Sequence, residues 1–371
     1  MDMDEKKNRL MSLDALRGLD MLMITGLGPF LVTLCAALGF GSESWLPTQL
    51  RHVQWEGFHI EDLIFPLFLF MAGVTFPFSF AKQRERGSSA ARISGRIVCR
   101  AAALVFLGLV TQGLFKLNFA SLRIPSVLAL IGVSWALAAF MYMWLGWRAR
   151  LAVCLCALVG YGAVMYFAHA PDYPAADRFS MEGSFICWLD RVIYAGHKYR
   201  PLYDPEGLPR YITGMVTASL GMFAGSFIRG AGVSGNRKAL AMAGAGAAML
   251  LAGLGISAAG VCPVVKAMWS PTFILVAGGW SAMLLAAFYW IVDVKMWRRW
   301  TFFLRVVGMN SITIYVAVRI VPFNSINGFF LSGAAALLPA AWGKVLLAAG
   351  YIAVCWLFLY FLYRKNVFLR V

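Results

Sequence analysis

An all-α bundle of about ten transmembrane helices is the fold class this sequence predicts, from the number of its apolar runs that approach the ~20 residues a helix needs to cross a bilayer. Two further observations agree. Hydrophobic residues make up 61% of the 371 and charged residues only 13%, where soluble domains carry about 25% charged. Mean hydropathy is +0.72. The apolar runs also lack the short alternating pattern of a membrane β-barrel. The expected spans are 11–38, 61–80, 97–115, 125–146, 151–169, 211–229, 239–260, 271–292, 301–322 and 340–363 of one integral membrane domain.

Net charge is +16, and it sorts by side of the membrane. With the N-terminus inside, twenty basic residues fall in cytoplasmic segments, among them Lys6, Lys7, Arg9, Lys82 to Arg100, Lys295 to Arg299 and Arg370. Nine fall in the opposite loops, among them Arg51, Arg123, Arg210 and Lys266. That bias predicts an N-in, C-in topology and accounts for the charge without nucleic acid. The first apolar run lacks a small-residue cleavage site and is expected to be a retained span.

The first span opens Ser12-Leu-Asp-Ala-Leu-Arg-Gly-Leu-Asp20. Asp14, Arg17 and Asp20 succeed one another at three-residue steps, so either carboxylate can reach Arg17 on a helix. They are expected to form a structural ion cluster, with a cytoplasmic entrance for an anionic ligand as the alternative. The next loop and span carry more information than any other stretch: LRHVQWEGFHIEDLIFPLFLFMAGVTFPFSF, residues 50–80. Ionisable groups at the mouth of a span are costly unless paired or facing a wet cavity, so they mark a functional site. His52 has the side chain that titrates near neutrality, which suits a general base that nearby carboxylates orient. Pro66 and Pro77 predict a kinked or opened helix.

Polar chemistry concentrates in two long outer segments, 39–60 and 170–210, which with neighbouring outer positions hold all four histidines. Within the second, Asp204-Pro-Glu-Gly207 is a turn by composition, and its carboxylates Asp204 and Glu206 can bind sugar hydroxyls or an ammonium. Lys266, Trp269 and Ser270 precede another span and offer a cation, an aromatic face and a hydroxyl, although aromatics at a membrane edge commonly serve as anchors. Asn310 and Ser311 fall inside a span, where polar side chains bridge helices. Seven cysteines show no metal-ligand spacing, and no metal is expected. Cys187 and Cys262 both fall in outer loops, where an oxidising face would permit a disulfide between them, but the sequence does not establish the pairing. The small-residue stretch AMAGAGAAMLLAGLG, 241–255, permits close helix packing within the chain or in a homodimer.

In order, SLDALRG, HVQWEGFHIEDLIFPLFLFMAG, RIPSVLALIG, LYDPEG, MWSPTFILVAGG, YWIVDV and GMNSITIYV resemble the transmembrane acetyltransferases related to heparan-α-glucosaminide N-acetyltransferase. The likeness is strongest to a bacterial branch associated with N-acetylglucosamine utilisation, and it covers roughly residues 10–365. It implies a multi-pass protein of the bacterial inner membrane that transfers acetyl from cytoplasmic acetyl-CoA to a glucosamine-type amine, or another glycan acceptor, on the far side. It also implies that His52, in the segment His52-Val-Gln-Trp55, is catalytic. Arg123, Lys266, Asn310 and Ser311 are expected to contact the donor, and Trp55, Glu56, Asp62, Asp204, Glu206 and Trp269 the sugar. Two alternatives remain: a proton-coupled amino-sugar permease, and an O-acetyltransferase of an envelope glycan.

Overall fold

The computed structural model describes residues 10–369 and is helical, with only isolated β-bridges among the described residues. Lys6, Lys7, Arg9 and Arg370, which entered the charge count, lie outside them. In chain order the helices are α1 (Met11–Ala37), α2 (Trp45–Gln49), α3 (Ile60–Glu85), α4 (Ala90–Thr111), α5 (Val127–Trp144), α6 (Trp147–Phe167) and α7 (Phe185–Ile193). There follow α8 (Arg210–Arg229), α9 (Gly235–Ala258), α10 (Pro271–Val294), α11 (Arg299–Gly308), α12 (Ser311–Ile320), α13 (Phe323–Ala336) and α14 (Ala340–Arg364). Among the described residues nine of these are long and apolar enough to cross a membrane, and ten if α11 and α12 together make one span. This is a multi-pass membrane protein.

Backbone-to-backbone contact sets the helix crossings. α3 and α8 form the centre, with Gly73 backed onto Ala218 and Gly221, Gly221 onto the Phe70 carbonyl, and Gly225 onto Val74. α1 and α11 meet in the same way, Gly18 against Leu304 and Gly308 against Asp14 and Gly18. With no hydrophobic drive between helices in lipid, such close approach supplies the packing energy. The small residues of 241–255 are partly used inside the chain, since Gly246 and Gly253 face α10. α6 and α14 lie at the periphery with most of their apolar surface outward.

Two spans are interrupted. α1 carries a π-turn at Met23–Leu27, where Gly26 takes φ 140°, a backbone conformation suited to glycine. Its N-terminus is capped from far along the chain: Asp293 of α10 accepts the Met11 and Ser12 N–H groups, each at 3.2 Å. The expected span 301–322 is not one straight helix, since α11 and α12 bend by 57° at Met309 and Asn310. Beyond it lies α13, absent from the sequence expectation, which packs along α14 with Asn327 donating to the Leu347 carbonyl at 2.8 Å. By contrast α3 runs unbroken through Pro66 and Pro77, so the expected opening of that span is not found.

A Cβ on Gly221 would overlap the Phe70 carbonyl, whereas one on Gly255 meets open space. Gly221→Val is expected to destabilise the protein by at least about 1–3 kcal/mol, read as a lower thermal midpoint in detergent, with Gly255→Val as the silent control. Equal midpoints would show that the α3–α8 crossing is not fixed by this contact.

Candidate active site

The first turn of α3 sits at one end of the bundle and is built around Asp62. Its N-terminus exposes unsatisfied N–H groups, and Asp62 folds back to accept from His59 N–H at 3.1 Å. The same oxygen takes Val53 N–H at 3.3 Å. The other oxygen is shared by His52 Nδ1 at 2.9 Å and Lys266 Nζ at 3.1 Å. Four donors fill the acceptor sites of a carboxylate, and the side chain is fully buried. Asp62 therefore stands behind the histidine, not in the path of a sugar as the sequence suggested.

This arrangement defines the tautomer of His52. Nδ1 carries the proton that it donates to Asp62, which leaves the lone pair on Nε2. Lys266 Nζ lies 3.1 Å from Nδ1, but both are then donors, so its hydrogen bond goes to Asp62. Nε2 has no hydrogen-bond partner among the described residues, and 59% of the side chain is exposed. It borders a cleft of about 440 Å³ lined also by Arg51, Gln54, Glu56 and His59. His59 does not compete for the site, because its Nδ1 is engaged with the Arg51 carbonyl at 2.8 Å.

Lys266 arrives from the loop before α10, and that loop is pinned to the His52 loop. Gly57 N–H donates to Val264 O at 2.8 Å, beside a single bridge between Glu56 and Val265. Ser270 closes the turn by accepting Val265 N–H at 3.0 Å and Phe273 N–H at 3.2 Å, which caps α10. Trp269 holds φ at 50° and is 1% exposed, with edge contacts to Phe65 at 5.2 Å and Phe273 at 5.8 Å. It is a core residue, so the expected stacking face for a sugar is withdrawn. Burial pushes the Lys266 amine below its ordinary value, while Asp62 and Glu206 pull it back up. Trp55 donates its indole N–H to Phe179 O at 2.7 Å and packs edge-on to Tyr203 at 5.3 Å, tying the site to the long loop.

A second cluster adjoins the first. Arg123 binds both oxygens of Asp204, at 2.9 and 2.6 Å, and also Glu206. The expected donor contact and two expected sugar contacts are thus held by one another. Asp204 N–H donates to Asp190 at 3.0 Å, and Asp190 pairs with Arg210 at 2.6 Å, both fully buried. Burial raises the Asp204 carboxyl, but the bonds from Arg123 and backbone N–H groups outweigh it and hold the value below the usual range. For Glu206 burial wins over Arg123 and pushes the value up to about 7. Asp190 and Arg210 are not among the site residues the sequence singles out, although an arginine opening an apolar span and an aspartate within the apolar run ICWLDRVI are visible signals.

The remaining expectations are met unevenly. Asn310 is 1% exposed at the α11–α12 bend with its Nδ2 unpartnered among the described residues, and Ser311 donates to the Gly308 carbonyl at 2.8 Å. Arg17 lies 3.9 Å from Asp14 and donates to Met71 O of α3 at 3.4 Å. Asp20 is not part of that cluster: it is 2% exposed, with neither oxygen hydrogen-bonded among the described residues. The guanidinium extends towards α3 instead of along its own helix. Cys187 and Cys262 sit in one buried apolar cluster as free thiols, so the disulfide that the sequence left open is not formed.

No protein-family model matches the chain. It is 24% identical, over an alignment of 371 positions, to the heparan-alpha-glucosaminide N-acetyltransferase of Homo sapiens, covering 83% of this chain and 52% of that protein. The chain is related to these N-acetyltransferases. The Mus musculus protein of the same name is 25% identical over 365 positions, covering 83% and 53%. The chain therefore spans about half the length of the curated relatives it matches.

Glu206 supplies a test of the second cluster. Its carboxyl holds a proton in the folded state that the unfolded chain, at the ordinary value of 4.5, has released. The stability it contributes is present below about pH 4.5 and is lost as pH rises through about 7. The wild-type thermal midpoint in detergent is expected to fall from about pH 5 to 8 relative to Glu206→Gln, which does not titrate. Parallel pH profiles for the two proteins would contradict the raised value.

Proposed function

We propose that this chain is a transmembrane acetyltransferase that moves an acetyl group from cytoplasmic acetyl-CoA to the amine of an amino sugar on the opposite side. The observation that carries the reading is His52 itself. Its Nδ1 is fixed by a buried carboxylate, and its Nε2 is open to a cleft at the mouth of α3. The names of the relatives support the reaction type, and the bias of basic loop residues supports the sidedness.

A thioester is already activated, so the protein has to align the reactants, accept a proton and stabilise an oxyanion. His52 Nε2 takes the proton of the acceptor amine as its nitrogen attacks the acyl carbon. Asp62 steadies the imidazolium that forms, as the orienting acid does in a catalytic triad. Lys266, 22% exposed at its side chain, holds Asp62 on the Nδ1 side of the imidazole, and Arg51, which lines the cleft with His52, offers a cation to the developing oxyanion. Collapse breaks the C–S bond, and the proton passes from Nε2 to the departing thiolate. The products are the N-acetylated sugar and CoA.

His52→Ala is expected to lower kcat for acetyl transfer from acetyl-CoA to glucosamine by about 10² to 10⁴. Asp62→Asn is expected to cost about 10² or more, because an amide facing Nδ1 favours the wrong tautomer. Both are measured as labelled product formed by purified protein in detergent. A His52→Ala protein with normal turnover sinks the assignment. Uptake of glucosamine by wild-type vesicles, with no dependence on acetyl-CoA, would instead establish the permease.

A further inference from the structure

Arg100 occupies the middle of α4 and turns into the bundle. Its guanidinium stacks on Trp135 of α5, with Cζ 4.3 Å from the ring centroid. Its Nε is buried, and the side chain makes no hydrogen bond or ion pair among the described residues. The Trp135 indole N–H beside it is also buried without a partner. A second guanidinium acts on Arg100, that of Arg17 of α1, which lies 3.9 Å from Asp14 and reaches the Met71 carbonyl in the middle of α3. Two cations from different helices thus converge at mid-depth. Like charges in a low-dielectric interior repel strongly, and an intramembrane arginine marks a ligand path by default. An anion placed against Arg100 would reverse the sign of the interaction and give its N–H groups their missing acceptors.

The surroundings narrow the anion. Met71 and Asp62 lie on the same helix, so the cationic seat is about 14 Å along α3 from the His52 site at 1.5 Å per residue. Buried polar atoms without partners stand in the helices between: both oxygens of Asp20, Nδ2 of Asn310 and Oε2 of Glu61. Gly18 and Gly308 back onto each other's helices, and Asp20 and Asn310 each follow two residues later. Acceptors at Asp20 and a donor at Asn310 suit the N–H and C=O groups of amides. A ligand with phosphates at one end, an amide-bearing arm and a reactive group at the other would satisfy all of them.

We propose that Arg100, seconded by Arg17, seats the pyrophosphate of the acyl-CoA donor at mid-depth, with the pantetheine arm passing Asn310 and Asp20 to reach His52. The proposal rests on the acetyltransferase reading and adds to it a binding site for the donor's phosphates.

The test is equilibrium binding of CoA, and of pantetheine without nucleotide or pyrophosphate, to wild type, Arg100→Gln and Arg100→Lys in nanodiscs. Arg100→Gln is expected to weaken CoA binding by about tenfold or more, the range of a charge-assisted hydrogen bond, and to leave pantetheine binding unchanged. Arg100→Lys is expected to recover part of the loss. Inorganic pyrophosphate should compete with CoA on wild type and lose that ability on Arg100→Gln. CoA binding that ignores the substitution, or an equal loss for CoA and pantetheine, overturns the proposal. So does retention of anionic lipid that depends on Arg100 while CoA affinity does not. Because binding is read without turnover, a wild type that binds CoA through Arg100 but transfers no acetyl would defeat only the proposed function. An active enzyme whose CoA affinity is indifferent to Arg100 would defeat only the seat.

Discussion

The carboxylate of Asp62 is the group on which the rest of the site depends. A buried ion at the mouth of a membrane span is tolerable only when its acceptor sites are filled, and here the donors come from two loops far apart in the chain. Two backbone N–H groups, from Val53 and His59, shape the loop that enters α3. His52 is thereby held in one tautomer, and Lys266 is drawn across from the loop before α10. One side chain thus caps a helix, fixes an imidazole and recruits a cation. Removing it would leave the half-buried Lys266 without its carboxylate and free both loops, so the stability of the loops and the orientation of His52 are linked at the same atoms.

The scaffold holds that geometry through close contact of backbones. Glycines at the α3–α8 and α1–α11 crossings bring the helices together, and the π-turn in α1 and the bend before α12 are placed where polar atoms face inward. The long loop is fixed by a ladder of charges, Arg123 to Asp204, then Asp190 to Arg210. Breaking a buried pair of this kind costs about 3–5 kcal/mol, because the partner is left uncompensated. That rigidity keeps Tyr203 against Trp55 of the His52 loop.

Much of this was legible in the chain. Long apolar runs announce their spans because a bilayer demands length and composition from each helix separately. His52 could be singled out because an imidazole followed by carboxylates at a span mouth is a costly pattern. Its partnership with Lys266 could not, since those residues are 214 positions apart and meet only through the fold. The same applies to Arg123 with Asp204 and Glu206. Trp269 misled because an aromatic before a span has the same appearance whether it faces substrate or core. Asp20 misled because helical spacing permits a contact that the neighbouring helix then captures. Arg100 passed as one more basic residue of a cytoplasmic run, and only the extension of α4 back to Ala90 places it in mid-span. α13 escaped because a polar Asn327 and the prolines 322 and 339 interrupt what would otherwise read as one apolar stretch.

The central claim is transfer of acetyl across a membrane, and sidedness tests it most directly. Purified protein would be reconstituted in liposomes with labelled acetyl-CoA sealed on the cytoplasmic face and glucosamine supplied only on the His52 face. The account predicts labelled N-acetylglucosamine on the glucosamine side and free CoA on the other, with the liposomes intact. Product only when both substrates share one compartment would contradict it.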